Sequence, residues 1–329
     1  MHRILILTGP GGAAQGWGDM AVTRHVAEAL NAGPFSAAIA YVETAGDFHA
    51  AMARRDFDLV WSALYHISGR TDTVGLGGPG ALWVADAMDE LGIPYIGPDA
   101  TTMKQLIRKH DTHRLLRERG VEVPVHALVE PGAALPELAF PAFVKPDAES
   151  RSVGIADASV VHSRDELARR CGYIHAEFGQ AALVEEYMPG PEYTVAMLGN
   201  GRRQEFLTGL VTVDPSHYGK YPILRTDLRG VGLTKLSVPP TRVEEAVDLT
   251  RRATDALRCW DHVRVDLRLD AGGRLKIMEV NGIPGLKPGK SWSPQLYSLY
   301  HPSGEGHPKE YQEMLHLVAG SALERWGLA

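Results

Sequence analysis

Two short stretches, "RVDLRLD" and "MEVN", place polar residues where metal and phosphate chemistry is available. Arg264 and Asp266 are two residues apart on one apolar run, and Glu279 and Asn281 are two apart on the next. Successive side chains on a strand alternate faces, so each pair projects from one face. The intervening "AGG" signals a hairpin. In register, that hairpin would bring a guanidinium, two carboxylates and a carboxamide together. Oxygen donors of this kind are what Mg²⁺ takes when substrate phosphates and water complete its octahedron. The competing reading is a solvated strand face with paired charges. Both strands are strongly apolar elsewhere, and carboxylates aimed into a buried cleft are costly without a cation. We therefore expect Asp266, Glu279 and Asn281 to be metal ligands.

Lysines are scarce beside arginines, which makes their positions informative. Lys145 ends the run "FPAFVKP", Lys109 falls between two helical patterns, and Lys220 lies in the loop "SHYGKYP". A lysine is a compact point charge suited to phosphate oxygens. Singly each reads as a surface lysine; around a metal site the set reads as a triphosphate clamp. A third cluster lies in "LVEEYMPGPEYTV", where Glu185, Glu186 and Glu192 surround a stiff Pro189-Gly190-Pro191 corner between two apolar runs.

The elements that must position these groups fall into three blocks. Residues 1–100 alternate near-continuous apolar strands ("RILILT", "FSAAIAYV", "FDLVWSAL", "PYIG") with helical patterns at 20–30 and in "GALWVADAMDELGI". This βαβ rhythm predicts a parallel sheet covered on both faces. Residues 101–187 form a small α+β block, with a helix stop at Gly120, strands "FPAFVKP", "VGIADASVV" and "AALVEEYM", and a helix opened by Ser163 with Glu166 at the capping-box position. Residues 188–329 carry long strands, an irregular loop at 216–226, a helix "RVEEAVDLTRRATDALR" and the hairpin.

Composition bounds the function. The chain has 329 residues and a formal net charge of −6 with no block of like charges, which argues against nucleic-acid binding by phosphate neutralisation. The two cysteines, Cys171 and Cys259, are too far apart in sequence for a CxxC site and read as reduced, buried thiols. The N-terminal apolar run is too short for a signal sequence, and no stretch approaches a membrane span. We expect a cytoplasmic protein with no membrane partner.

The ordered set "FVKP…SVG", "LVEEYMPGPEYTV", "GKYP", "RVDLRLD" and "MEVNGIPGL" resembles the ATP-grasp superfamily, and within it the D-alanine–D-alanine ligases and related carboxylate–amine ligases. The resemblance runs from about residue 3 to 286. It implies an α/β and α+β fold, a parallel-sheet domain followed by two α+β subdomains that clamp ATP. By the same resemblance Glu185 lies near the adenine amino group, Glu186 and Met188 line the base pocket, and Glu192 grips the ribose. Lys109 and Lys145 contact the α- and β-phosphates, Lys220 reaches the γ-phosphate from a closing loop, and Ser152 and Gly154 belong to a turn that caps the phosphates. Asp266, Glu279 and Asn281 would hold two Mg²⁺ ions, with Mn²⁺ as a substitute. Arg264 and the backbone N–H of Gly285 would stabilise the oxyanion of an acyl intermediate.

The implied reaction is ADP-forming amide synthesis from a small carboxylate and a small amine through an acyl phosphate, and a homodimer stays open. The substrate positions depart from the family's pattern. The first glycine-rich turn, "GGAAQGWGDM", lacks the acid that holds an amino group, and Arg70 and Thr71 fall where acids belong, although His66 is retained. Arg151 replaces a serine, and the acceptor-carboxylate position falls on Lys290 or Ser291. These changes predict a non-standard amino acid or small peptide as substrate. A D-alanine–D-alanine ligase and a non-catalytic ATP-binding protein are the alternatives.

Overall fold

The computed structural model describes residues 1–69, 74, 77–228, 233–304 and 307–329. Its first layer is built on β1 (His2–Thr8), whose residues are buried from Ile4 onward. Strands β2 (Phe35–Tyr41) and β3 (Leu59–Ser62) pair with it in parallel. The short α1 (Gly12–Gln15) follows β1, and the crossovers carry α2 (Met20–Asn31) and α3 (Ala45–Ala53). Asp19 caps α2 by accepting from Ala21 and Val22 N–H, and Thr44 and Asp47 form a capping box on α3.

An antiparallel pair then intervenes, β4 (His66–Ile67) with β5 (Leu82–Trp83). The expected helix over "GALWVADAMDELGI" is shorter as a result. Leu82 and Trp83 are taken by the pair, the Trp83 ring packs edge-on against His66, and α4 (Val84–Glu90) begins only there. Strand β6 (Tyr95–Ile96) completes a sheet of order β2-β1-β3-β6. The expected parallel sheet is present.

The middle of the chain opens with α5 (Ala100–Ile107) and α6 (Lys109–Glu118), separated by Arg108 in extended conformation. Gly120, at φ +72°, follows the second as its stop signal. Strands β7 (His126–Val129), β8 (Ala142–Pro146), β9 (Val160–Val161) and β10 (Ala182–Glu186) form an antiparallel sheet of order β7-β10-β8-β9. Helix α7 (Arg164–Phe178) covers it with Leu167, Cys171 and Ile174, in one core with Val144 and Val184. The run "VGIADASVV" is not a continuous strand. Ser159 Oγ accepts from Ala156 N–H and from Arg170, and this local bonding curls Asp157–Ser159 into a 3₁₀ turn.

The last block is a five-stranded antiparallel sheet of β11 (Glu192–Leu198), β12 (Glu205–Val213), β13 (Thr234–Ser237), β14 (His262–Leu269) and β15 (Leu275–Asn281). Helix α8 (Val243–Ala256) packs on it through Ala246, Leu249 and Ala253. Two helices were not expected, α9 (Trp292–Tyr300) and α10 (His307–Arg325). The second returns to the first layer, where Met314, Leu315 and Val318 share a core with Ile4 and Leu5. Asp261 fastens that return: it is fully buried, pairs with Arg325 Nη2 at 2.7 Å and accepts from Gly97 N–H at 2.7 Å. Cys171 and Cys259 are buried and free, and no helix among the described residues is long and apolar enough to cross a membrane.

Candidate active site

A cleft lies between the two antiparallel sheets. Its lining includes Lys109, Lys145, Ser152, Glu185, Glu186, Met188, Glu192, Asp266, Arg268 and Glu279. Phe143, Ile155, Leu224 and Met278 supply apolar walls. The expected hairpin register holds: Arg264 stands opposite Asn281 and Asp266 opposite Glu279, with an irregularity between Asp266 and Leu267. Asp266 accepts from Arg264 Nε at 2.9 Å and Nη2 at 2.7 Å, from Thr194 Oγ1 at 2.7 Å and from Asn281 Nδ2 at 3.2 Å. Burial works against the Arg264 cation, but the Asp266 carboxylate offsets it and holds the guanidinium pKa above its ordinary value. The indole of Trp292 packs beneath that guanidinium at 4.8 Å.

Lys109 is buried at the start of α6; its Nζ lies 3.2 Å from Glu279 Oε1 and donates to the Glu149 carbonyl. Lys145 at the end of β8 lies 2.8 Å from Glu185 Oε2. Burial pushes the Glu185 carboxyl pKa up, with Lys145 and Lys109 opposing it. Glu186 accepts from Val125 N–H at 2.9 Å and pairs with Lys276. Asp266, Glu279 and Asn281 fit a divalent cation by their donor chemistry: two carboxylates and an amide face one another across a hairpin, and Arg264 and Lys109 now neutralise the carboxylates.

Other expected residues lie elsewhere. Lys220 is exposed and sits over Tyr221 at 5.3 Å, beside a second groove lined by His162, Arg169 and Tyr173. Its backbone N–H donates to Asp157 Oδ2 at 2.8 Å, which ties the loop 214–228 to the middle block. Gly154 does not line the cleft itself; it sits at φ +75°, where a Cβ would stand 2.8 Å from Pro146 Cγ. Arg151 is exposed and bonds the Ala13 carbonyl. Lys290 is exposed, and Ser291 Oγ accepts from Lys287 N–H at 2.9 Å, close to Gly285. His66 is buried, with Nε2 2.8 Å from the Val74 carbonyl, and burial lowers its pKa. Arg70 and Thr71 lie outside the described residues.

Two residues were missed from sequence, Arg268 in the cleft and Gln15 in the first layer. Arg268 continues the two-residue spacing of Arg264 and Asp266, a signal that was available. Its guanidinium bonds the Gly190 carbonyl at 2.9 Å and the Pro222 carbonyl at 2.5 Å, and Nη1 lies 3.6 Å from Glu192. Gln15 occupies the first glycine-rich turn, where its carboxamide accepts from Tyr65 and His66 N–H and donates to the His66 carbonyl at 3.0 Å. A lone amide in a glycine turn was its only sequence signal.

A parallel layer followed by two sheets that enclose a cation-lined cleft defines an ATP-grasp protein of the ATP-dependent, ADP-forming ligase class. A profile of the D-ala D-ala ligase C-terminus family matches residues 127–298. A D-alanine–D-alanine ligase of Desulforudis audaxviator is 34% identical over 221 residues, spanning 64% of this chain and 69% of that protein. D-alanine–D-alanine ligase B of Pseudomonas putida is 31% identical over 200 residues, spanning 60% of each. The crystal structure of a D-alanine–D-alanine ligase from Bacillus anthracis shares the fold, with a TM-score of 0.70 at 20% identity, covering 99% of this chain and 98% of that one. The same enzyme complexed with ATP superposes with a TM-score of 0.68 at 20% identity, covering 99% of this chain and 100% of that one. The chain belongs to the D-alanine–D-alanine ligase family.

Proposed function

We propose that this protein is an ADP-forming D-alanine–D-alanine ligase, joining two small D-amino acids by an amide bond. The observation that carries this reading is the matching of residues 127–298 by the family profile, together with relatives that bear that name. They support the alternative drawn from sequence over a non-standard substrate. In the first step a carboxylate oxygen of the donor attacks the γ-phosphorus of ATP, and ADP leaves. In the second a neutral amine attacks the acyl phosphate, and phosphate leaves from the tetrahedral intermediate. Phosphorylation is needed because a bare carboxylate offers an anionic carbonyl and a poor leaving group.

In this account Lys109 and Lys145 neutralise charge on the phosphates, since such transfers depend on positioning and electrostatics. Two Mg²⁺ ions held by Asp266, Glu279 and Asn281 would supply further charge neutralisation. Glu185, Glu186 and Met188 hold the base, Glu192 the ribose, and Ser152 and Gly154 the phosphate end. Arg264 and Gly285 face the developing oxyanion. Lys220 would reach the phosphates only when the loop 214–228 turns inward, and Arg151, His66, Lys290 and Ser291 would border the amino acids.

One observation favours a second reading, in which the donor is not D-alanine. Gln15 puts a neutral amide, fully engaged with backbone, in the first glycine-rich turn. Incubation with ATP, Mg²⁺ and D-alanine tests both. ADP, phosphate and D-alanyl-D-alanine in equal amounts are expected; turnover only with other amino acids would favour the second reading, and none with any acid–amine pair would refute the ligase assignment.

A further inference from the structure

Glu185 and His113 face each other across an unmade hydrogen bond. The Glu185 side chain is buried in the cleft, on a strand whose register sets it opposite Phe143. Its Oε2 lies 2.8 Å from Lys145 Nζ, and its Oε1 lies 3.4 Å from His113 Nδ1. The His113 ring is completely buried on α6, with Nε2 3.1 Å from the Met278 carbonyl. A carbonyl oxygen only accepts, so Nε2 carries the ring hydrogen and a neutral ring turns its Nδ1 lone pair on Glu185. A carboxylate oxygen there is a second acceptor, and a gap of 3.4 Å has no room for a bridging water.

The described neighbours do not supply the missing hydrogen. His126, whose ring centre is 5.1 Å from that of His113, has Nδ1 2.9 Å from the Pro124 carbonyl, so its own hydrogen points there. The His110 ring packs on the far side of His126, at 5.3 Å. Lys145 meets the other oxygen of Glu185, and Lys109 is turned to Glu149 and Glu279. The pair is therefore short of one hydrogen, which a proton shared between Oε1 and Nδ1 would supply. Burial raises the Glu185 pKa and pushes that of His113 well below its ordinary value. Both directions favour the carboxyl over the ring as the holder of such a proton.

We propose that His113 is a positioning residue that holds the proton of a neutral Glu185 carboxyl on Oε1, turned away from the nucleotide. The cleft then offers the base only Oε2, an oxygen that accepts and cannot donate. That selects a purine bearing an amino group at the edge facing Glu185 over one bearing a keto oxygen, which would set acceptor against acceptor. The inference rests on the ATP reading and deepens it: without His113, the Glu185 hydroxyl can rotate and donate to a keto group.

Equilibrium binding of ATP and of its 6-keto analogue, inosine triphosphate, tests this on wild type, His113→Leu and His113→Asn. Leucine removes the acceptor, whereas the asparagine carbonyl can replace Nδ1. The preference for ATP should fall on the order of tenfold in His113→Leu, the weight of one hydrogen bond, and return to within about twofold of wild type in His113→Asn. Parallel weakening of both nucleotides by His113→Leu, or an unchanged ratio, would overturn the proposal and leave His113 a packing residue. Failure of asparagine to restore the ratio would also overturn it. A wild-type chain that binds neither nucleotide would instead remove the ATP reading on which the inference stands.

Discussion

Replacing Arg268 with alanine should open the loop 214–228 without unfolding the chain. The Arg268 guanidinium joins the corner at Gly190 to the loop at Pro222 and lies near Glu192. The loop has other ties, among them Arg225 to Asp157 at 3.4 Å and His162 Nε2 to Tyr221 hydroxyl at 2.6 Å. The first is partly buried and the second lies at the surface, and contacts of this kind contribute about 0–1 kcal/mol when solvent reaches them. The Arg268 bond to Pro222 is made by a side chain only 8% exposed, and a hydrogen bond to a charged group contributes about 1.5–3 kcal/mol. Its loss should raise the open fraction of the loop by about 10–100-fold. Trypsin reads that fraction directly, because Lys220 and Arg225 lie on the loop and cleavage follows the open population when reclosing is fast. Nicking there should accelerate by about that factor, with an intermediate rate for Arg268→Lys, which keeps the charge but not the fork. Unchanged nicking, or acceleration spread over the whole chain, would refute the tie.

Three further outcomes follow from the geometry. Glu192→Gln should weaken nucleotide binding by about 1–3 kcal/mol if the carboxylate holds the ribose, and calorimetric titration would show it; Lys145→Ala should lower kcat as well as affinity, which steady-state kinetics separates. Asp261→Asn removes a fully buried carboxylate from the half-buried Arg325 and should destabilise the fold by about 1.5–3 kcal/mol, measured by denaturant unfolding, with activity per folded molecule retained. The His262 pKa is pushed down to about 3 by burial and by Arg264, so the unfolded chain binds a proton below pH 6.5 that the folded chain refuses. Stability should therefore fall as pH drops from 6.5 towards 3, and His262→Asn should flatten that part of the profile.

Much of the candidate-site hairpin was legible because strand alternation fixes which side chains share a face. Arg264, Asp266, Glu279 and Asn281 needed only the register, and it holds. The parallel layer was legible for the same reason, since near-continuous apolar runs admit few arrangements. What resisted was tertiary. The loop bearing Lys220 is held outward by Asp157, a residue 63 positions away, and no local pattern reports that contact. Helix α10 escaped notice because it follows the Gly- and Pro-rich run "HPSGEGHP" and packs against the far end of the chain. His113 carried no sequence signal, because its burial depends on Met278 and Glu185, which lie 165 and 72 residues beyond it.

The acyl-phosphate route can be tested by isotope transfer. With ATP, Mg²⁺ and D-alanine carrying ¹⁸O in its carboxylate, one donor oxygen becomes the bridge to phosphorus and must leave with it. Mass analysis of the released phosphate should find one ¹⁸O atom for each amide bond formed. Unlabelled phosphate accompanying the dipeptide, or label appearing in AMP, would contradict the mechanism.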